Sequence, residues 1–169
     1  MELYAIRHAI AEQLGRDNDF TDEKRALTPG GREKMIQAAQ GLRRLGVEFD
    51  LILTSPFVRA RQTAQILADV FTVDVGLVEE TENLAPGANL SHLLAEIKNR
   101  RRAESVALIG HQPDLGKLIS RIVTGREGLL SIKLKKGGVC FIEVTETVPE
   151  LRGSLVWLLA PKHLRMLGG

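Results

Sequence analysis

Apolar and polar positions along this chain change period several times, and each change marks the border of an element. Leu3, Tyr4, Ala5 and Ile6 form a short run of strand-forming residues at the start, which predicts a buried strand. A polar stretch, 12-EQLGRDNDFTDEKRA-26, follows. In 27-LTPGG-31, Thr28 is suited to cap a helix and Pro29 to occupy its first position, because a hydroxyl accepts from the free N–H groups there and proline has no N–H to leave unpaired. Met35, Ala38, Ala39, Leu42 and Leu45 then recur at helical spacing until Gly46, a residue that ends helices readily. The run 50-DLILTS-55 predicts a strand covered on both faces, and Ser55-Pro56 predicts a second helix by the same capping logic,.

The pattern repeats in the second half. A short strand is predicted at 73-VDVGLV-78, then an acidic loop, 79-EETENLAPGAN-89, and a helix capped by Ser91 and running to about Arg102,. The next buried strand is 105-SVALI-109, after which 110-GHQP-113 turns into a helix carrying Leu115, Leu118, Ile119 and Ile122,. Two strands near 138 to 144 and 153 to 159 are close enough in sequence to be antiparallel neighbours, with a tail at 161–169,. Strands alternating with helices predict a three-layer αβα sandwich around a mostly parallel sheet of about six strands, one of them antiparallel. With 169 residues, no internal repeat and no long linker, residues 1–169 are expected to form a single domain,.

Composition excludes several classes. The chain is 44% hydrophobic and 26% charged, an ordinary globular balance, and it has no run of the ~20 apolar residues that a membrane span needs. Its start runs directly into a strand pattern without the features of a secretory leader, so a cytoplasmic protein that binds no membrane is expected. A net charge of +2 is too small to argue for nucleic acid,. The single cysteine, Cys140, lies in the strand-like 138-GVCFIEV-144, as a small core residue would. His92 and His163 are assigned to the surface, and the basic run 98-KNRRR-102 to a solvated helix end,. The lysines of 133-KLKKGG-138 either protect a sheet edge or line a mouth for acidic protein substrates,.

Candidate chemistry gathers where strands end. In parallel sheets, ligands bind beyond the carboxyl ends of the strands. Arg7 and His8 follow the first strand, Arg59 lies on the early turns of the helix after the second, and His111 follows 105-SVALI-109. Two arginines and two histidines on one edge, with no carboxylate obviously paired to them, describe an anion site, and the fork of arginine matches phosphate oxygens. Binding alone does not require two imidazoles. A neutral imidazole can attack phosphorus through one nitrogen while a carbonyl holds the proton on the other, and cations can stabilise the equatorial oxygens. Zinc-type sites bring further His, Cys or carboxylate ligands, whereas this cluster is cationic, so no metal is expected.

The motifs 7-RHA-9, 27-LTPGG-31, 55-SPFVRARQT-63 and 110-GHQP-113 resemble those of the histidine phosphatase (phosphoglycerate mutase-like) superfamily, and the short chain is similar to its SixA-type phosphohistidine phosphatases. Ala9 stands where that family usually has glycine. The resemblance implies a phosphoglycerate mutase-like fold, no cofactor, His8 as nucleophile, Arg7 and Arg59 as ligands of the phosphoryl oxygens, and His111 completing the pocket. Arg61 shares the motif but points to another side of the helix. Ester-cleaving members carry a carboxylic acid in the loop before the second histidine. The best register places Asn83 there with Glu82 beside it and Glu80 further back, so Glu82 is the candidate general acid. Larger relatives insert cap segments between the second strand-helix unit and the later histidine strand. The interval from Thr72 to Glu104 leaves little for a lid, which favours a phosphorylated protein as substrate. The alternatives are a small-molecule phosphomonoester phosphatase and a non-catalytic phosphate- or phosphoprotein-binding module.

Overall fold

The computed structural model describes residues 1–15, 21–100, 102–147 and 149–168. Strands β1 (Glu2–Arg7), β2 (Leu51–Thr54), β3 (Val78–Glu80), β4 (Ser105–Gly110), β5 (Val139–Glu146) and β6 (Arg152–Leu159) alternate with helices α1 (Pro29–Arg44), α2 (Val58–Phe71), α3 (Leu90–Asn99) and α4 (Asp114–Thr124), and α5 (Pro161–Gly168) follows β6. The strands form one sheet in the order β3-β2-β4-β1-β5-β6. β1 and β2 both run parallel to β4, and β3 parallel to β2, while β5 is antiparallel to β1 and β6. One strand breaks the parallel order, as the short β5–β6 connection predicts.

Strand alternation divides the core into two layers. Tyr4 and Ile6 of β1 face α1, α2 and Leu164 of α5. Leu3 and Ala5 face Leu93 and Ile97 of α3 and Leu115, Leu118, Ile119 and Ile122 of α4. Cys140 is buried in this second layer, and burial pushes its thiol up to about 12. That is a packed, unreactive cysteine.

Several borders fall elsewhere than the pattern suggests. Thr28 does cap α1, its Oγ1 accepting from Gly31 N at 2.9 Å. Ser55-Pro56, however, does not open α2, which begins at Val58 after Phe57. The Ser55 hydroxyl instead accepts from Phe57 N at 3.3 Å, closing the turn that leads into the helix. α3 is capped by Asn89 rather than Ser91, the Asn89 side chain accepting from Ser91 N, and it stops at Asn99. Arg100 just beyond it pairs with Glu79, and Arg101 lies outside the described residues, as does 16–20 within the polar stretch. In 73-VDVGLV-78, Asp74 caps a 3-10 turn at Val75–Leu77, so the strand starts only at Val78. The segment expected as a tail folds as α5 and packs on α1, with Leu164 fully buried. Burying one such leucine contributes about 1.5–3 kcal/mol.

The sheet matters to the site through register. Arg7 of β1 lies opposite Gly110 of β4, and Thr54 of β2 opposite Ile109. The ladder continues one residue past each end: His8 N donates to Gly110 O at 3.1 Å and Ser55 N to Ile109 O at 3.0 Å. Three adjacent strands therefore deliver His8, Ser55 and His111 side by side at one edge.

The approach of α5 to α1 depends on small residues. A Cβ at Gly41 would fall 1.9 Å from Leu164 O, so Gly41→Ala must push α5 away. Overpacking of this kind costs about 1–3 kcal/mol, and the variant should show a lowered urea midpoint at unchanged m-value. A midpoint equal to wild type would mean that α5 contributes little to stability.

Candidate active site

His8 leaves β1 with its imidazole turned back on its own backbone. Nδ1 lies 2.7 Å from Ala9 O. A carbonyl only accepts, so Nδ1 carries the proton and Nε2 holds a free lone pair. Arg59 Nε donates to that Nε2 at 3.3 Å. Arg59 stands in the first turn of α2 and is 3% exposed, and His8 and His111 are each 4% exposed. Its Nη2 lies 3.4 Å from His111 Nδ1. Because a guanidinium can only donate, His111 Nδ1 must accept, which leaves Nε2–H to donate to Ser55 Oγ at 2.9 Å,. The two imidazole rings are 5.0 Å apart, and Phe57 packs edge-on to His111 while Arg59 Cζ lies 4.9 Å from its ring centre. Thr63, one turn further along α2, accepts from Ala9 N at 3.0 Å and donates to Arg59 O at 2.7 Å. It thereby ties the turn after His8 to the helix that carries Arg59.

Arg7 approaches from the other side. Its Nη1 donates to Leu134 O at 3.0 Å, and its Nε is buried without a hydrogen-bond partner among the described residues. A buried, unpaired donor is costly and invites an acceptor. Arg7 is held below the usual arginine range, first by burial and then by the charge of Arg59. Arg59 is lowered by burial and by Arg25, against the opposing hydrogen bond and charge of Asp22.

Asp22, on the 3-10 turn Asp22–Lys24, is the functional contact that sequence reasoning missed. Its carboxylate accepts from Arg59 Nη2 at 2.9 Å and pairs with Arg25 Nε at 2.7 Å, while its carbonyl accepts from Arg59 Nη1 at 2.6 Å. The cation cluster therefore does hold a paired carboxylate. Burial alone would raise Asp22, but the hydrogen bonds and charges of Arg59 and Arg25 outweigh it and keep the carboxyl below its ordinary value. Ser55 and Thr63 were also missed as contacts, although both lie inside the quoted motif 55-SPFVRARQT-63.

Glu82 stands apart from this group. It is exposed on the 3-10 turn Glu82–Leu84, and among the described residues no hydrogen bond or ion pair joins it to Arg7, His8, Arg59 or His111. Asn83 is turned away, its Nδ2 donating to Glu96 at 2.7 Å. Arg61 is half exposed and lies 3.6 Å from Glu80. His92 and His163 are exposed, and among the described residues no three His, Cys, Asp or Glu side chains come together as a metal cluster.

Two buried imidazoles, one with an unprotonated nitrogen, between two guanidinium groups at the ends of parallel strands can bind an anion such as a phosphoryl group. Comparison with known proteins gives the family. The model of the histidine phosphatase superfamily (branch 1) matches residues 3–115, and the chain belongs to that superfamily and is a phosphatase of it. An uncharacterized protein of Picosynechococcus sp. is 40% identical over 142 residues, 82% of each chain. Phosphohistidine phosphatase SixA of Escherichia coli is 24% identical over 98% of each. The solved structure of the protein histidine phosphatase SixA complexed with tungstate superposes with a TM-score of 0.83 at 24% identity, covering 97% of this chain and 99% of the other. The fold is thus the phosphoglycerate mutase-like fold of SixA. Among the described residues no helix is long and apolar enough to cross a membrane.

Burial sets the protonation state. His8 is lowered to about 3, chiefly by burial and further by His111, Arg59 and Arg7, against the hydrogen bond to Ala9. His111 is lowered to about 4 by burial and Arg59, against Asp22 and Asp114. Both rings therefore remain neutral in the folded state well below the ordinary imidazole value. Below about pH 6.5 the unfolded chain takes up protons that the folded rings refuse, so their contribution to stability falls as pH drops from there toward the folded values. NMR titration should find the His8 and His111 ring resonances flat from about pH 8 to about pH 5. A midpoint above about pH 6 for either ring would contradict the burial argument.

Proposed function

We propose that this chain is a phosphohistidine phosphatase acting on a phosphorylated protein, with His8 as nucleophile, Arg7 and Arg59 as ligands of the phosphoryl oxygens, and His111 as the second imidazole on the transferring group. The observation that carries the nucleophile assignment is the pairing of His8 Nδ1–H with Ala9 O, which leaves Nε2 unprotonated and buried next to Arg59. In the first step the Nε2 lone pair forms a bond to phosphorus as the bond to the substrate nitrogen breaks. The substrate imidazole departs with that electron pair, neutral if its other nitrogen already carries a proton. In the second step a water oxygen bonds to phosphorus, the bond to His8 Nε2 breaks, and the water proton passes to solvent.

The choice of a nitrogen leaving group rests on the acids available. Glu82 is exposed and among the described residues shares no hydrogen bond or ion pair with the four residues, and Asp22, which does bond to Arg59, is kept below its ordinary value by two arginines. An ester oxygen leaving as alkoxide needs a proton badly, whereas an imidazole does not. Because Glu82 is exposed and outside the hydrogen-bonded group, Glu82→Gln should leave turnover of a phosphohistidine peptide close to wild type,. Purified protein should turn over a phosphohistidine peptide faster than phosphoserine or a sugar phosphate. The reverse order would favour the small phosphomonoester reading, and no phosphate release from any of them would favour a binding module.

The covalent step has its own measurement. Quenching under neutral conditions with labelled substrate should trap an acid-labile, alkali-stable phosphoryl group on His8, absent in His8→Ala. Label on His111, or turnover without label, would overturn the assignment. Arg59→Ala should lose on the order of 2 to 5 kcal/mol of transition-state stabilisation, because it removes a charged partner from a desolvated group. The exposed Arg61→Ala should lose about 1 kcal/mol or less in kcat/KM. Equal losses in the two variants would show that burial does not distinguish them.

A further inference from the structure

The segment between α4 and β5 wraps the residues that end β1. Leu134 O accepts from Arg7 Nη1 at 3.0 Å. The N–H of Gly137 is shared between Arg7 O at 2.9 Å and His8 O at 3.2 Å. Gly137 has a φ of +76°, a left-handed turn that glycine adopts without strain, and its bonds to Arg7 O and His8 O hold the backbone next to Lys136 against the end of β1. Lys136 is exposed, makes none of the hydrogen bonds that link Arg7, His8, Arg59 and His111, and among the described residues has no carboxylate within ion-pair distance. Its ammonium is held below the usual lysine range, by burial first and then by the charges of Arg7, Arg25 and Arg59. Arg7, Arg25, Arg59 and Lys136 thus lie near one another, and among the described residues Asp22 pairs with two of them, Arg59 and Arg25.

Like charges brought together without a counter-ion oppose folding. The phosphoryl group already has Arg7 and Arg59, so an additional uncompensated cation outside them calls for a second anion on the same ligand. Lys133 and Lys135, on the same segment, are also exposed and add to its positive charge.

We propose that Lys136 is a specificity-determining residue that binds a carboxylate side chain flanking the phosphorylated residue, so that the substrate is an acidic segment of a phosphoprotein. The inference rests on the proposed function for the nature of the phosphorylated residue, and its test reads binding rather than turnover. The probes are a peptide bearing a stable phosphonate isostere of phosphohistidine between Asp and Glu residues, the same peptide with neutral flanks, and O-phosphoserine as the free amino acid. Calorimetry with the full chain should give about fivefold tighter binding of the acidic peptide than the neutral one at low salt, a ratio that shrinks as salt is added. Lys136→Ala should bring the ratio toward one and Lys136→Glu should invert it, whereas Lys98→Ala, on α3 and bonded to Pro149 O, should keep it. Equal affinity for the two peptides in wild type, a ratio that survives Lys136→Ala, or free O-phosphoserine binding more tightly than the acidic peptide would each overturn the inference. An acidic preference in a protein that hydrolyses no phosphohistidine peptide would retain it while removing the phosphohistidine phosphatase reading. Turnover without a flank preference would do the opposite.

Discussion

The site depends on one buried guanidinium. Taking Arg59 out of water costs several kcal/mol unless each of its donors is met. Its Nε meets His8, its Nη1 the Asp22 carbonyl, and its Nη2 the Asp22 carboxylate, with His111 Nδ1 also within 3.4 Å. Because arginine can only donate, both imidazole nitrogens that face it must accept. One residue therefore settles the tautomer of both histidines. The remaining protons follow, His8 Nδ1–H to Ala9 O and His111 Nε2–H to Ser55 Oγ.

Fixing Arg59 requires fixing α2, and that task falls to groups outside the cation cluster. Thr63 bonds both the Arg59 carbonyl and the Ala9 N–H, which locks helix to strand end. Gln62 accepts from Leu27 N at 2.7 Å and so holds the approach to α1 against the same helix. Asp22 and Arg25, on the chain between β1 and α1, then close over the guanidinium. The insertion of β4 between β1 and β2 makes this possible, since it sets the two strand ends that carry His8 and Ser55 on either side of the one that carries His111.

What could be read from the chain beforehand was whatever repeats locally. Alternating strands and helices, the Thr28 cap and the polar groups directly after buried strands are all within a few residues of their cause. Asp22 was not legible, because it lies in an aperiodic polar stretch and meets Arg59 across 37 residues of sequence. Ser55-Pro56 misled for a related reason: the hydroxyl has two uses, closing a turn and receiving His111, and neither is helix capping. α5 went unread because eight residues without a preceding cap are marginal as a helix on their own. It forms by docking, and the glycines at 41 and 168 that admit it reveal their purpose only when both helices are in place.

The same burial that aligns the site also shapes its chemistry. A histidine held to about 3 is neutral at any ordinary pH, so its Nε2 stays unprotonated, but it is also a weaker base than free imidazole,. In the proposed cycle these two effects fall on different steps. Weaker basicity slows attack on phosphorus somewhat and makes His8 a better leaving group when water attacks the phosphorylated ring. Arriving phosphoryl oxygens bring negative charge next to both rings, reversing part of the electrostatic depression that Arg7 and Arg59 impose. In that cycle the charge of a bound phosphoryl group would raise the second imidazole from its value of about 4, so occupancy of the pocket favours its protonated form,.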